Sequence, residues 1–207
     1  MTDPASAAKY SADILPLSLD QAQELLEQKV NNPSQQMHAR AVQATLEHFA
    51  RKYGEDADYW AQVGLLHDID YELFPDEHLQ HAEPILREVG YDDNFINAVL
   101  SHGWGLCKVD VEPQHIMEKV LYATDELTGL ITAAVYMRPD RSVLTIETKS
   151  VKKKFKNKKF AAGVDREVIL RGCEMLEIEL DELIGETILG MRAAADELGL
   201  AGENLTT

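Results

Sequence analysis

The chain is poor in everything that would hold it together other than a buried apolar core. Only two cysteines occur in 207 residues, Cys107 and Cys173, far apart and without CxxC spacing. That excludes a disulfide framework or a cysteine zinc site and fits a reducing, cytoplasmic compartment. Basic residues are scarce too: 20 Lys and Arg against 36 Asp and Glu leave a formal charge of −16. A field of that sign repels polyanions, which argues against general binding to nucleic acid or an anionic membrane. A small anionic substrate held by a metal or a local positive patch remains compatible with it. No apolar run reaches the roughly 18 residues of a membrane span, and Met1 to Ser11 lacks the apolar stretch of a secretory leader. Internal repeats, low-complexity tracts and long Ser/Gly linkers are missing, and the length is that of one domain.

What the chain does have is apolar residues at helical spacing. Ser18 and Gln21 have capping-box spacing ahead of Ala22, Leu25 and Leu26. Asn32-Pro33 opens a second helix that carries His38, Val42, Leu46 and Phe49 up to Tyr53-Gly54. A third runs from about Asp58 to His67. A fourth starts at Pro75, carries His78, Ala82, Ile85 and Leu86, and closes at Val89-Gly90. Asp92-Asp93 begins a fifth that stops at Gly103, and Pro113 starts the longest, through Val120, Ala123, Leu127 and Leu130. Ser142 to Thr148 is β-branched, but a lone strand has nothing to pair with, so the segment reads as helix or loop. Lys149 to Lys159 holds seven lysines and no acid. Two further helices follow from Asp165 to Leu198, joined near Glu177-Ile178-Glu179. The expected fold class is all-α, a single compact helical bundle.

The placement of the seven histidines is the informative feature. His67 and Asp68 are adjacent at the expected end of the third helix, after the apolar run Val63 to Leu66. Adjacent residues on a continuing helix point about 100° apart, so both reach one ion most easily where the helix ends. His38 lies on the apolar side of the second helix. Asp125 lies midway along the longest, where a carboxylate is costly to bury unless paired or on a metal. Taken singly, each has an ordinary alternative: a satisfied core histidine for His38, a cap or a pairing with Lys119 or Arg138 for Asp125. His48, beside Arg51-Lys52, reads as solvated, and His115 as a surface residue.

Taken together, His38, then Leu65-Leu66-His67-Asp68, then Ala123-Thr124-Asp125 resemble the H…HD…D pattern of the HD-domain metal-dependent phosphohydrolase superfamily. The resemblance covers about residues 30 to 135 and implies an HD-type helical domain over 18–138. Residues 139–207 would be a basic segment and C-terminal helices packed on it. His78, four residues before Ala82, and His102 in Ser101-His102-Gly103 look like the two histidines that two-metal members add. His81, three residues from His78, could take its place, with the match to Ala82 favouring His78 and leaving His81 as its neighbour. The implied ligand set is His38, His67, Asp68 and Asp125 on one ion, with Asp68 bridging to a second held by His78 and His102. One or two divalent transition-metal ions (Fe, Mn, Ni, Co or Zn) suit such nitrogen and oxygen donors.

The resemblance implies hydrolysis of a small phosphate ester, a nucleotide being the first candidate, with metal-activated water attacking phosphorus and His67 and Asp68 at the heart of the chemistry. Many signalling members continue the HD dipeptide with Ile-Gly-Lys, whereas here Ile69-Asp70-Tyr71-Glu72 follows, with no lysine and two extra carboxylates. Asp70 or Glu72 could carry a proton or lie as a solvated loop acid. No Gly-Tyr-Pro signature follows, which disfavours cyclic-dinucleotide hydrolysis. Cationic contacts to the substrate are expected from Arg40 and from the lysine run, Lys154 and Lys156 above all. That run would be either a solvated face or a mobile lid, with Phe155 and Phe160 stacking on a base and Arg166 adding charge. Two other functions remain compatible with the pattern: a di-iron oxygenase on the same fold, and a non-catalytic module binding a nucleotide or partner.

Overall fold

The computed structural model describes residues 9–202; most of the segment Met1 to Ser11, expected to carry no secretory leader, lies outside them. Among the described residues the secondary structure is helical, with no strand. α1 (Leu19–Lys29) opens on the expected capping box: the Gln21 N–H donates to Ser18 Oγ, and the Ser18 N–H donates to Gln21 Oε1. α2 (Pro33–Tyr53) starts with Pro33 behind the Asn32 cap and ends at Gly54, whose φ of 74° is the left-handed conformation that glycine adopts freely. α3 (Ala57–Leu66) is capped by Asp56, and every residue from Tyr59 to Leu66 is buried, which makes it the central helix. Its one buried amide, Gln62, is satisfied: it donates to the Leu17 carbonyl and accepts from Tyr91 Oη.

α2 and α3 lie close because Gly64 has no side chain. A Cβ there would stand 2.8 Å from Leu46 Cδ1 and 2.9 Å from the Gln43 backbone. This approach brings the C-terminal end of α3 against the middle of α2. α4 (Ala82–Glu88) and α5 (Asp93–Ser101) pair with each other, and α5 also packs on α3 and on α6 (Ile116–Tyr136). α6 crosses α2 and receives α8 (Arg166–Leu176) at close range, since a Cβ on Gly172 would meet Ala123 Cβ at 2.4 Å. α9 (Leu180–Ala193) covers the other side of α2, and α7 (Thr148–Lys156) lies on α9 and α6. One continuous apolar cluster runs through all of these, from Ala22 to Leu200. No helix among the described residues is long and apolar enough to cross a membrane.

Several local expectations need correction. The fourth helix does not run from Pro75: a single 3₁₀ turn covers Pro75–Glu77, and the chain is then extended at His78 and left-handed at Leu79 (φ 67°) before α4 begins. A left-handed leucine costs about 1–3 kcal/mol, and the complete burial of its side chain offsets that. α6 begins at Ile116 because Pro113 falls in the loop before it. Ser142 to Glu147 is a loop, one of the two forms expected of it, held to the C-terminal segment by a bridge from Ser142 to Ala201 and by Arg192, which donates to the Val143 and Ile146 carbonyls. The lysine run is no mobile loop, because Thr148–Lys156 is a helix anchored by buried Val151 and Phe155.

His48 and His115 are not simple surface histidines. His48 Nε2 lies 2.6 Å from Glu186 and joins α2 to α9. His115 is half-buried against Tyr10, with ring centroids 4.0 Å apart, and caps α6 by accepting from the Met117 N–H. Burial, then the charge of Lys119, pushes its pKa down from 6.5 to about 4. The unfolded chain therefore takes up this proton before the folded one as pH falls, so stability drains away between pH 6.5 and about 4. His115→Asn keeps an acceptor at the cap. It is expected to flatten the fall of Tm across that interval, and an unchanged slope in a thermal-melt series would contradict the role.

Candidate metal centre

Six side chains from five separate segments converge where α2, α3, α5 and α6 meet the turn before α4. α3 ends at Leu66, so His67 and Asp68 leave the helix together and point to the same side. His67 is completely buried, and His102, just past the end of α5, is nearly so. His38 comes from α2, Asp125 from α6 and His78 from the extended residue before Leu79.

The six form two overlapping groups. In the first, His38 Nε2 lies 2.9 Å from Asp125 Oδ1, 3.3 Å from His67 Nε2 and 3.8 Å from Asp68 Oδ2. His67 Nε2 in turn lies 3.4 Å from both Asp68 Oδ2 and Asp125 Oδ1. In the second, Asp68 turns its other oxygen, Oδ1, to His78 Nε2 at 3.2 Å and His102 Nε2 at 3.4 Å, and those two nitrogens are 3.3 Å apart. Ligand atoms of His38, His67 and Asp68, of His67, His102 and Asp125, and of Asp68, His78 and His102 fall within 4.8 Å of one another in each set.

The far nitrogen of each ring bears on how these atoms could hold a cation. His67 Nδ1 donates to the Gly64 carbonyl and His102 Nδ1 to the Val99 carbonyl, both at 2.7 Å. His78 Nδ1 donates to Asp70 Oδ1 at 2.9 Å. His38 Nδ1 faces Thr128 Oγ1 at 3.4 Å, and that hydroxyl already donates to the Asp125 carbonyl, so it accepts. With the proton of each neutral ring on Nδ1, all four Nε2 lone pairs point inward at one another and at carboxylate oxygens. Such a set is repulsive until a positive charge, a proton or a metal ion, stands among the atoms. The donor set, imidazole nitrogen and carboxylate oxygen, fits a divalent transition metal.

The titration behaviour of the metal-free side chains carries the same signature. Burial pushes the Asp68 carboxyl up, but His67, His102 and His78 beside it hold it well below the usual carboxylate range. Asp125 is held low in the same way, by His38 and His67 against burial. Burial lowers His78, yet its bonds to Asp68 and Asp70 outweigh this and raise it to about 9.

Other residues assigned to the site from sequence lie elsewhere or act indirectly. Asp70 is completely buried, accepting from His78 Nδ1 with one oxygen and from the His81 N–H with the other, so it orients His78 instead of shuttling protons. Glu72 accepts from the N–H groups of Asn31 and Asn32 at the start of α2, away from the cluster. His81 stacks on Phe74 and pairs with Glu77. Arg40 is paired with Glu27, and Lys154 lies over the Phe160 ring; neither of these nor Lys156 lines the cleft. Phe155 is buried in the core, and Arg166 spends its guanidinium on backbone carbonyls between Phe155 and Val164.

A cleft of about 530 Å³ opens over the cluster. Besides the ligands, Tyr71, Leu106, Cys107, Glu126, Gly129 and Asp165 line it. Tyr71 meets the His78 ring edge-on, with centroids 5.0 Å apart. Burial and the neighbouring Asp125 charge push Glu126 up to about 7, against the pull of the Asp165 N–H. Sequence reasoning missed Thr128, Glu126 and Asp165. Thr128 had a signal in its three-residue spacing from Asp125 on one helix, whereas Asp165 had none beyond opening a helix.

Replacing Asp70 by asparagine removes the charge that supports protonated His78 but keeps an acceptor for its Nδ1–H. In metal-free Asp70→Asn the His78 pKa is therefore expected to fall from about 9 towards the ordinary histidine value, read by NMR titration of the imidazole signals. A value still near 9 would remove Asp70 from this role.

A protein-family model described as HD domain matches residues 36–130, a span that contains all six clustered side chains. No curated protein and no solved structure matches the chain.

Proposed function

The chain belongs to the HD-domain family through residues 36–130, the mark of a metal-dependent, hydrolase-type superfamily, and from that premise we propose that this protein hydrolyses a small phosphate monoester at a centre of two divalent metal ions. The observation that carries the reading is the orientation of Asp68, whose two oxygens face two different sets of imidazoles. Bound ions supply an activated water near neutral pH and offset charge on the phosphoryl group.

The remaining work belongs to the chain. His38, His67, Asp125 and Oδ2 of Asp68 would hold one ion, and His78, His102 and Oδ1 of Asp68 the other. The Gly64 and Val99 carbonyls and the Asp70 carboxylate keep three Nε2 lone pairs aimed inward, so little reorganisation is needed on binding. Tyr71 and Leu106 flank the open side, where the alcohol part of the ester would lie. A nucleoside polyphosphate is disfavoured, because the lysines and phenylalanines expected to take its phosphates and base do not line the cleft.

The test is phosphate release under nitrogen by protein reconstituted with Mn²⁺, across a panel of phosphomonoesters, alongside elemental analysis. Wild type is expected to release phosphate without oxygen and to hold two ions per chain. His78→Ala should lose about half of the metal, as expected where one of two sites depends on its ligand, and His81→Ala none. Asp68→Ala should abolish release while its circular-dichroism spectrum stays helical. Release that depends on oxygen and iron, or full release by Asp68→Ala, would contradict the proposal.

A further inference from the structure

The cleft over the metal centre contains no cation of its own. No Lys or Arg is among its described lining residues, in a pocket assigned above to an anionic ester. Its wall carries two acids that ligate nothing in the cluster, Glu126 and Asp165. Glu126 follows Asp125 on α6 and so points about 100° away from the ligand direction. It is half-buried, and the backbone N–H of Asp165 lies on its carboxylate side and pulls against the upward shift of its pKa. Asp165 lies outside the HD domain, at the N-terminus of α8, where its Oδ1 accepts from the Glu167 and Val168 N–H groups. Arg166 holds the preceding loop in shape and is used up in doing so. Lys158, from that same loop, shares an outer hollow with Asp165 but does not reach the cleft lining.

The charges point to the substrate. Two divalent ions against the carboxylates of Asp68 and Asp125 leave two positive charges, which a phosphomonoester dianion balances. Glu126 and Asp165 then have no basic side chain beside them among the described lining residues, and they stand in the wall available to the part of the substrate that leaves as the alcohol. We propose that the alcohol carries an ammonium group, so that the ester is a zwitterionic aminoalkyl phosphate whose phosphate faces the metals and whose cation faces Glu126 and Asp165. The inference rests on the phosphomonoesterase reading above and goes further by naming the substrate class. The C-terminal extension gains a role from it, because α8 brings a selectivity residue to a cleft that the HD domain alone leaves open on that side.

Binding separates this claim from turnover. The probes are 2-aminoethyl-, 3-aminopropyl- and 4-aminobutylphosphonate, each paired with the alkylphosphonate of the same length, titrated calorimetrically into Mn²⁺-loaded protein. At least one amine is expected to bind roughly fivefold or more tightly than its uncharged partner, the scale of one partly exposed ion pair. Glu126→Gln should erase that preference and Asp165→Asn reduce it, with metal content checked in both. Should Glu126→Gln disturb the adjoining ligand Asp125, Asp165→Asn alone carries the comparison. Equal binding of amine and alkyl probes by wild type, a preference intact in both variants, or no binding of any amine at millimolar concentration would overturn the assignment. Phosphate release from uncharged alkyl phosphates with amine-indifferent binding would remove this inference and leave the hydrolase reading standing. Amine-selective binding without phosphate release from any ester would remove the hydrolase reading, and the ester with it, and leave only an ammonium-selective wall at Glu126 and Asp165.

Discussion

Four imidazole lone pairs and three carboxylate oxygens point at one another in the middle of this protein, and no hydrogen on any of them can relieve the crowding while the rings are neutral. The proton of each ring is committed on the far side: His67 and His102 to backbone carbonyls, His78 to Asp70, and His38 to Thr128. Burying such a set without a positive charge is costly. The depressed carboxylates of Asp68 and Asp125 and the raised imidazole of His78 express the same demand. The donor atoms suit cations, and the helices around them hold that arrangement in place.

The supports are local. Gly64 allows α3 to touch α2, and its carbonyl fixes the His67 ring three residues later. Leu79 adopts a left-handed backbone so that His78 can face the cluster while its own side chain fills the core. Gly172 lets α8 lie directly on Ala123, two residues from Asp125. The C-terminal helices are therefore in contact with the element that carries a ligand, and α8 brings Asp165 to the cleft. The match to the HD domain stops at residue 130, yet the wall of its cleft does not.

Much of this was legible before any coordinates. The helical periodicity and the caps at Ser18 and Asn32 are local signals, the six ligand candidates come from the family resemblance, and the structure brings His38, His67, Asp68, His78, His102 and Asp125 together. The roles of Asp70 and Glu72 were not legible, because they depend on which backbone groups the turn after Asp68 meets. Glu72 finds the start of α2, some forty residues earlier in the chain, and only tertiary packing reveals that. Of the two readings of the lysine run, the solvated face agrees with the structure and the mobile lid does not. The charge masks the four-residue spacing of Val151 and Phe155, which are buried and make the segment a docked helix. The cationic contacts expected from it for the substrate disappear with that reading, and the acids of the cleft wall take their place.

The most direct measurement is anomalous diffraction from crystals grown with Mn²⁺. Two peaks about 3.5–4 Å apart are expected, one oxygen of Asp68 on each, with His38, His67 and Asp125 on the first and His78 and His102 on the second. A cluster that holds no anomalous density at saturating metal, or a single ion that leaves Asp68 unligated, would contradict a centre built around a bridging carboxylate.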